Sequence, residues 1–576
     1  MPKPWNNLHR WLSETHSGKF ELRRHFFLQF FESEFTSSPG QAKVVAGGAL
    51  GVLLSLTLVC VPAYYHKYRM LDLLPTDEPL QLALLADLLF VLASAAVASG
   101  IFTTLQWPAL FPGLRDYLAL AALPARARDV FIAKLSALLA FTLLAIVVVT
   151  ILPSILLPLV VYGRYEEHIA RQVPAIFISA SLASLFVFFS LVSLQGVLLN
   201  LMPPRAFARV SLTIQAILLA ILLCALPLVL ATPELAPRMN LRPAWTTSVP
   251  LLWFLGLDQV IAGNTEPLAI LLAGRSLIGV AASATLAVLT YLWSYRKHRV
   301  RILESPQIEN AHARRWPELL TARLLPNLRA LGVFGFTAKS LARSRQHRLI
   351  LTGFAGVALG VIAQGIVSLA LHSRFSTHGR EFREAVGSVP LALSFCALLG
   401  LRYLFRLPIE LRANWLFRIH EPGHAAGLLA GVEAFLFYFG VLPTAVLTLP
   451  LELRLFGAAS GAAASVLYLL VSLIWMQALL FSFEKIPFTS SYMPGQQPLI
   501  QSVVHYTTLA ILYIGLTGSI ILWAAETPAR SIGLILVLAA ALWKARRARL
   551  DAQRIERMQF AETLDPAVLQ LKLAGD

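Results

Sequence analysis

The sequence predicts an all-α polytopic membrane protein, with about 12 transmembrane helices arranged as 6+6 and amphipathic interfacial helices alongside. Three observations carry that prediction. Hydrophobic residues make up 57% of the 576 and charged ones only 14%, well under the roughly 25% charged usual in soluble domains, and the mean hydropathy is +0.68. Apolar runs of about 20 residues, the length that crosses a bilayer, recur along the whole chain. Basic residues gather beside alternate runs, which is how cytoplasmic loops are marked. The same placement accounts for the net charge of +17 by cytoplasmic anchoring, so nucleic acid is not expected as a partner.

Residues 1–42 are polar, aromatic and charged, unlike a signal peptide, and read as a cytoplasmic amphipathic segment. Within it, 20–42 sets Phe20, Phe26, Phe27, Phe30, Phe31 and Phe35 on an arginine-flanked helix suited to the membrane surface. The first six-span half occupies 43–295, with spans near 44–64, 80–104, 133–161, 174–200, 208–231 and 274–294. A basic cytoplasmic linker, 296–346, follows. Segment 295–346 carries eleven Lys and Arg, whereas the loop near 451–455 carries only Arg454 and that near 524–529 carries none. The second six-span half, 347–545, has spans near 348–371, 387–405, 426–450, 456–482, 501–523 and 530–544. A cytoplasmic tail, 546–576, ends the chain. Both termini are therefore expected on the cytoplasmic side of the cell inner membrane. Cys60, Cys224 and Cys396 lie far apart in apolar runs, the pattern of packing residues rather than of a disulfide framework.

The two halves read as a degenerate repeat. Segment 334–348 stands before the seventh span where the phenylalanine-rich helix stands before the first. After the second span comes PGLRDYLALAALPARARDV (112–130), and after the eighth PIELRANWLFRIHEPGHAA (408–426). Each has a proline, then Leu-Arg, an aromatic, a second proline and a long apolar run, with Pro422 opposite Pro124.

Segment 118–141 resembles the connector of type-2 ABC transporter permeases, the membrane subunits of exporter-class systems. Leu123, Pro124, Arg126, Arg128 and Lys134 match that family's Leu-Pro, basic residues and Lys before the third span. The amphipathic helix before the first span and VPLLWFLGLDQVIAG (249–263), similar to the family's short re-entrant elements, add to the likeness. It covers about residues 20–295 and thins over 330–545. Twelve spans instead of six depart from the family, implying a fused second half and leaving the oligomeric state, and a second copy as partner, open. The resemblance implies a permease subunit coupling ATP hydrolysis on separately encoded ATPase subunits to export. ATP and Mg would then sit on the partner, with no cofactor on this chain. The second connector would offer Arg412, Trp415, Arg418 and Pro422 to the same partner.

Other motifs weigh against an enzyme. HEPGH (420–424) contains H-E-x-x-H, which binds zinc when both imidazoles share one helical face. Pro422 between them breaks that turn, and no third ligand stands at a telling distance, so no metal is expected. GVFGFTAKS (332–340) approaches a P-loop, but Ala338 replaces its glycine. Neither a G-x-S-x-G elbow nor paired catalytic carboxylates appear in the cytoplasmic segments. Asp87 and Glu433 are the acidic candidates inside spans, where a proton-coupled twelve-span transporter would need them. Gln195, Gln215, Gln364 and Gln477 read as packing glue between helices. The alternatives to an ABC permease are thus that secondary transporter and, third, an intramembrane zinc metalloprotease.

Overall fold

The computed structural model describes residues 22–27, 64–71, 73, 78–107, 110, 127–160, 169–235, 247–304, 327–371, 380–410, 413–420, 426–481, 483, 485–489, 505–506, 508–555, 558 and 560. The expected first span and most of the first connector lie outside them. Among the described residues there is no strand, and ten helices are long and apolar enough to cross a membrane. The protein is therefore an all-α, multi-pass membrane protein. The expected span 387–405 is the helix Val389–Leu404, of 16 residues. That is about 24 Å at 1.5 Å per residue, less than a bilayer core of about 30 Å.

The chain divides into two compact units, Met1–Ile308 with Pro494–Val503, and Glu309–Met493 with Val504–Asp576. In the first unit α1 (Glu78–Leu105), α2 (Ala127–Val160), α5 (Pro250–Ala262) and α6 (Pro267–Glu304) all pack against α3 (Ile169–Leu201), while α4 (Pro204–Leu230) lies on α1. Lipid supplies no hydrophobic drive for helix pairing, so close approach of small residues matters most. Helix α3 meets that need by burying Ala175, Ser179, Ala180, Ala183, Ser184 and Gly196 along one face. Hydrogen bonds between helices reinforce it. The Gln195 amide donates to the Trp107 carbonyl (2.9 Å) and the Gln215 amide to the Thr104 carbonyl (2.8 Å).

Helix α5 has 13 residues, about 20 Å, and also falls short of a span. Pro250 opens it and Gly263, at φ 108°, closes it in the left-handed region that glycine enters at no steric cost. The Asn264 side chain then accepts from the Glu266 amide (2.9 Å), turning the chain into α6.

The second unit comprises α7 (Leu328–Arg343), α8 (Arg345–Leu371), α9 (Val389–Leu404), α10 (Asn414–Ile419), α11 (Ala426–Leu436), α12 (Leu442–Phe456), α13 (Ala458–Phe481), α14 (Thr517–Ala525) and α15 (Pro528–Ile555). Its hub is α13, against which α9, α12, α14 and α15 pack. Both hubs, α3 and α13, correspond to the fourth expected span of their half. A π-helical stretch, Phe437–Val441, joins α11 to α12, and a second, Leu512–Leu516, leads into α14.

Two expected boundaries move. Residues 451–455, expected as a loop, continue α12 to Phe456, and Gly457 at φ 81° makes the turn. A Cβ at Gly461 would stand 2.7 Å from Leu453 Cα, so the hairpin between α12 and α13 closes only over glycine. The tail expected from 546 instead continues α15 to Ile555. Its Arg549 and Gln553 are buried because Glu433 and the Leu480 carbonyl receive them.

Candidate functional site

The amphipathic helices meet the connectors in both units. Leu123, Pro124 and Arg126 of the first connector lie outside the described residues, as does the side chain of Arg128, whose backbone falls in the first turn of α2. Lys134 is two turns further and only 2% exposed, with its ammonium 5.1 Å above the ring of Phe26. Phe26 itself is fully buried among Trp107, Leu110, Val130 and Ala133. Lys134 therefore cannot face a docking partner, as the permease likeness implied. It anchors the aromatic segment 22–27 to the root of α2 by a cation over a ring, an attraction worth about 2 kcal/mol once desolvated.

The second unit repeats the arrangement. Asn327 caps α7 by accepting from the Arg329 amide (3.0 Å), and the face with Val333, Phe334, Thr337, Ala338 and Leu341 turns inward. GVFGFTAKS lies on this helix, whereas a P-loop requires a strand, a turn and then a helix. The inward face rests on α11, and a Cβ at Gly431 would collide with the Ala330 carbonyl, so glycine permits the contact. Phe336 meets Phe417 of the connector helix α10 edge to face, with centroids 5.3 Å apart.

The second connector is held from its other side as well. The amides of Ile409 and Glu410 donate to the Phe488 carbonyl (2.9 and 3.2 Å), and the Phe488 amide donates to Phe405 (3.2 Å). Phe488 sits at φ 66°, a strained setting for a bulky residue, and its buried ring packs on Phe405 and His347. The Asn414 amide donates to the Thr489 carbonyl (2.9 Å). With Asn414 and Phe417 inward, α10 leaves Trp415 (63% exposed), Leu416, Arg418 and Ile419 (69% exposed) uncovered. Arg412 and Pro422 lie outside the described residues.

His420 closes α10, and its ring Nδ1 donates to the Leu416 carbonyl (2.8 Å). The helix thus ends before the rest of HEPGH, whose Glu421, Pro422, Gly423 and His424 lie outside the described residues. Among the described residues no three His, Cys, Asp or Glu side chains gather as metal ligands.

Both acidic candidates are engaged by cations. Asp87 on α1 is fully buried and receives the Lys67 ammonium (2.8 and 2.9 Å) and the Tyr68 hydroxyl (2.7 Å). Glu433 on α11 is bound by Arg549 (2.5 Å), Arg546 (3.2 Å) and the Gln477 amide (3.1 Å). Sequence reading missed two other buried acids, Asp258 and Glu452. Asp258, 4% exposed on α5, has an Oδ1 with no hydrogen-bond partner among the described residues. An acidic residue midway in the apolar run LLWFLGLDQV was the available signal. Glu452 was hidden by its assignment to a loop.

Comparison with known protein families, with curated proteins and with solved structures finds no match to this chain.

Proposed function

We propose that this chain is the membrane-spanning permease subunit of an ABC-type exporter, driven by separately encoded ATPase subunits that dock on the connectors 112–130 and 405–425. The observation that carries the reading is the paired anchoring of aromatic helices to the two connector regions: Phe26 over Lys134 in one unit, Phe336 on Phe417 in the other. A connector wedged against a rigid helix passes displacement into the spans, because close-packed interfaces do not absorb strain smoothly. The exposed face of α10 supports the reading from the partner's side. Trp and Arg, which it offers, are the residue types that dominate contact energetics. On this reading the protein sits in the inner membrane with both termini in the cytoplasm, and ATP and Mg bind the partner.

The proton-coupled alternative would need a carboxyl that exchanges its proton, whereas Asp87 and Glu433 are each tied to a basic side chain. The protease alternative would need both imidazoles of HEPGH on one helical face, and α10 already closes at His420, before Pro422 and His424.

The test is the double substitution Arg126→Ala with Arg128→Ala. Lost charges buried at a docking interface weaken it by about 1–3 kcal/mol, roughly 5- to 150-fold. Copurification of the ATPase and permease-stimulated ATP hydrolysis should both fall while insertion is unchanged. Wild-type binding and stimulation in the double variant would show that LPARAR is only a topological anchor.

A further inference from the structure

Glu452 lies in a small pocket where α12 and α13 meet, lined also by Thr444, Thr448, Ser465, Tyr468 and Ser472. The carboxyl is 2% exposed. It accepts hydrogen bonds from the Ser465 and Thr448 hydroxyls. Every polar side chain on the wall presents oxygen, and none is Lys, Arg or His. A buried carboxylate without a counter-charge costs several kcal/mol, so the group calls for either a proton or a cation beside it.

The Tyr468 hydroxyl makes the stronger point. It is buried at 3% exposure and lines the pocket, yet has no hydrogen-bond partner among the described residues. Buried hydroxyls are ordinarily satisfied, so an orphan on a residue that lines a polar cavity points to a ligand there. The space suits one water-sized body. A proton on Glu452 would neutralise the acid but leave both the space and the Tyr468 oxygen unused. Oxygen ligands without nitrogen or sulfur select a hard ion over a transition metal. One carboxylate matches one positive charge, whereas calcium and magnesium call on more carboxylates or retained water.

We propose that this pocket binds a monovalent metal cation of about the size of sodium. Glu452 supplies the charge, and Tyr468 with the Ser465 and Thr448 hydroxyls supplies neutral oxygens. The π-helical stretch before α12 and the glycine-closed hairpin hold these groups in place. The inference stands independently of whether an ATPase docks on the connectors.

The test uses the full chain purified in detergent, with thermal unfolding followed in sodium, potassium or choline chloride at constant ionic strength. A ligand that binds only the folded state raises the midpoint with concentration and saturates near its own affinity. Sodium should raise the midpoint over choline, and potassium should do so less. Tyr468→Phe should weaken the apparent sodium affinity several-fold without moving the choline midpoint. Glu452→Gln should abolish the sodium effect. Equal midpoints in sodium and choline, or a midpoint that follows pH alone, would overturn the proposal, as would a full sodium response in Glu452→Gln. Should Glu452→Gln fail to fold, Tyr468→Phe decides: an unchanged sodium affinity there is equally fatal.

Discussion

Replacing Arg549 by methionine should loosen the second unit, and the structure sets the scale. The guanidinium is 1% exposed and lies 2.5 Å from Glu433, itself 14% exposed. Unit charges about 4 Å apart attract by about 4 kcal/mol at an effective dielectric of about 20. Desolvation offsets much of that in the intact pair, but deleting one partner strands the other and typically costs about 3–5 kcal/mol. Arg546 still stands 3.2 Å from the carboxylate, although it is 58% exposed, so the lower end of that range is expected. Arg549→Met and Glu433→Gln should each cost about 3 kcal/mol, and the double variant no more than about 4. The coupling is then about 2 kcal/mol, above what most hydrogen bonds between membrane helices give. Reversible unfolding of the four proteins in mixed micelles measures it. A coupling below about 0.5 kcal/mol would refute the view that α15 is latched to α11 through this pair.

Gly431→Val forces a side chain into the Ala330 carbonyl and should cost about 1–3 kcal/mol as overpacking; cysteines introduced on α7 should then become more reactive to a water-soluble maleimide, and unchanged reactivity would count against the contact. His424→Ala should alter neither bound zinc nor peptidase activity, because Pro422 separates the imidazoles; stoichiometric zinc lost on mutation would restore the protease reading. A cysteine placed near Arg315 should be labelled only from the cytoplasmic side, and labelling only from outside the cell would invert the topology.

Most spans were legible because a run of twenty apolar residues has one stable destination. Pro250–Ala262 was legible too, as a short apolar stretch bounded by Pro and Gly, whereas Val389–Leu404 read as a full span. What the sequence hid were charges whose partners are remote. Arg549 reads as one more basic residue in a cytoplasmic tail, since its carboxylate lies 116 positions earlier. Leu451 to Leu455 reads as a polar break because Glu and Arg interrupt the run, yet hydroxyls from α12 itself and α13 receive Glu452 and let the helix continue. Lys134 looked like connector charge because nothing local shows that Phe26 covers it. Neither π-helical stretch has a local signature, as both are as apolar as their neighbours.

The stretch Phe437–Val441 sets the angular phase of everything beyond it. Glu433 and Glu452 are nineteen residues apart on one continuous rod, and at 3.6 residues per turn they would point about 100° apart. A π turn takes up one additional residue, which winds the helix back by nearly that angle. Both acids consequently address α13, Glu433 at Gln477 and Glu452 at Ser465. Deleting a single residue from 437–441 would remove the π turn and leave the two acids eighteen residues apart, five whole turns of an ordinary helix, so both should still face α13.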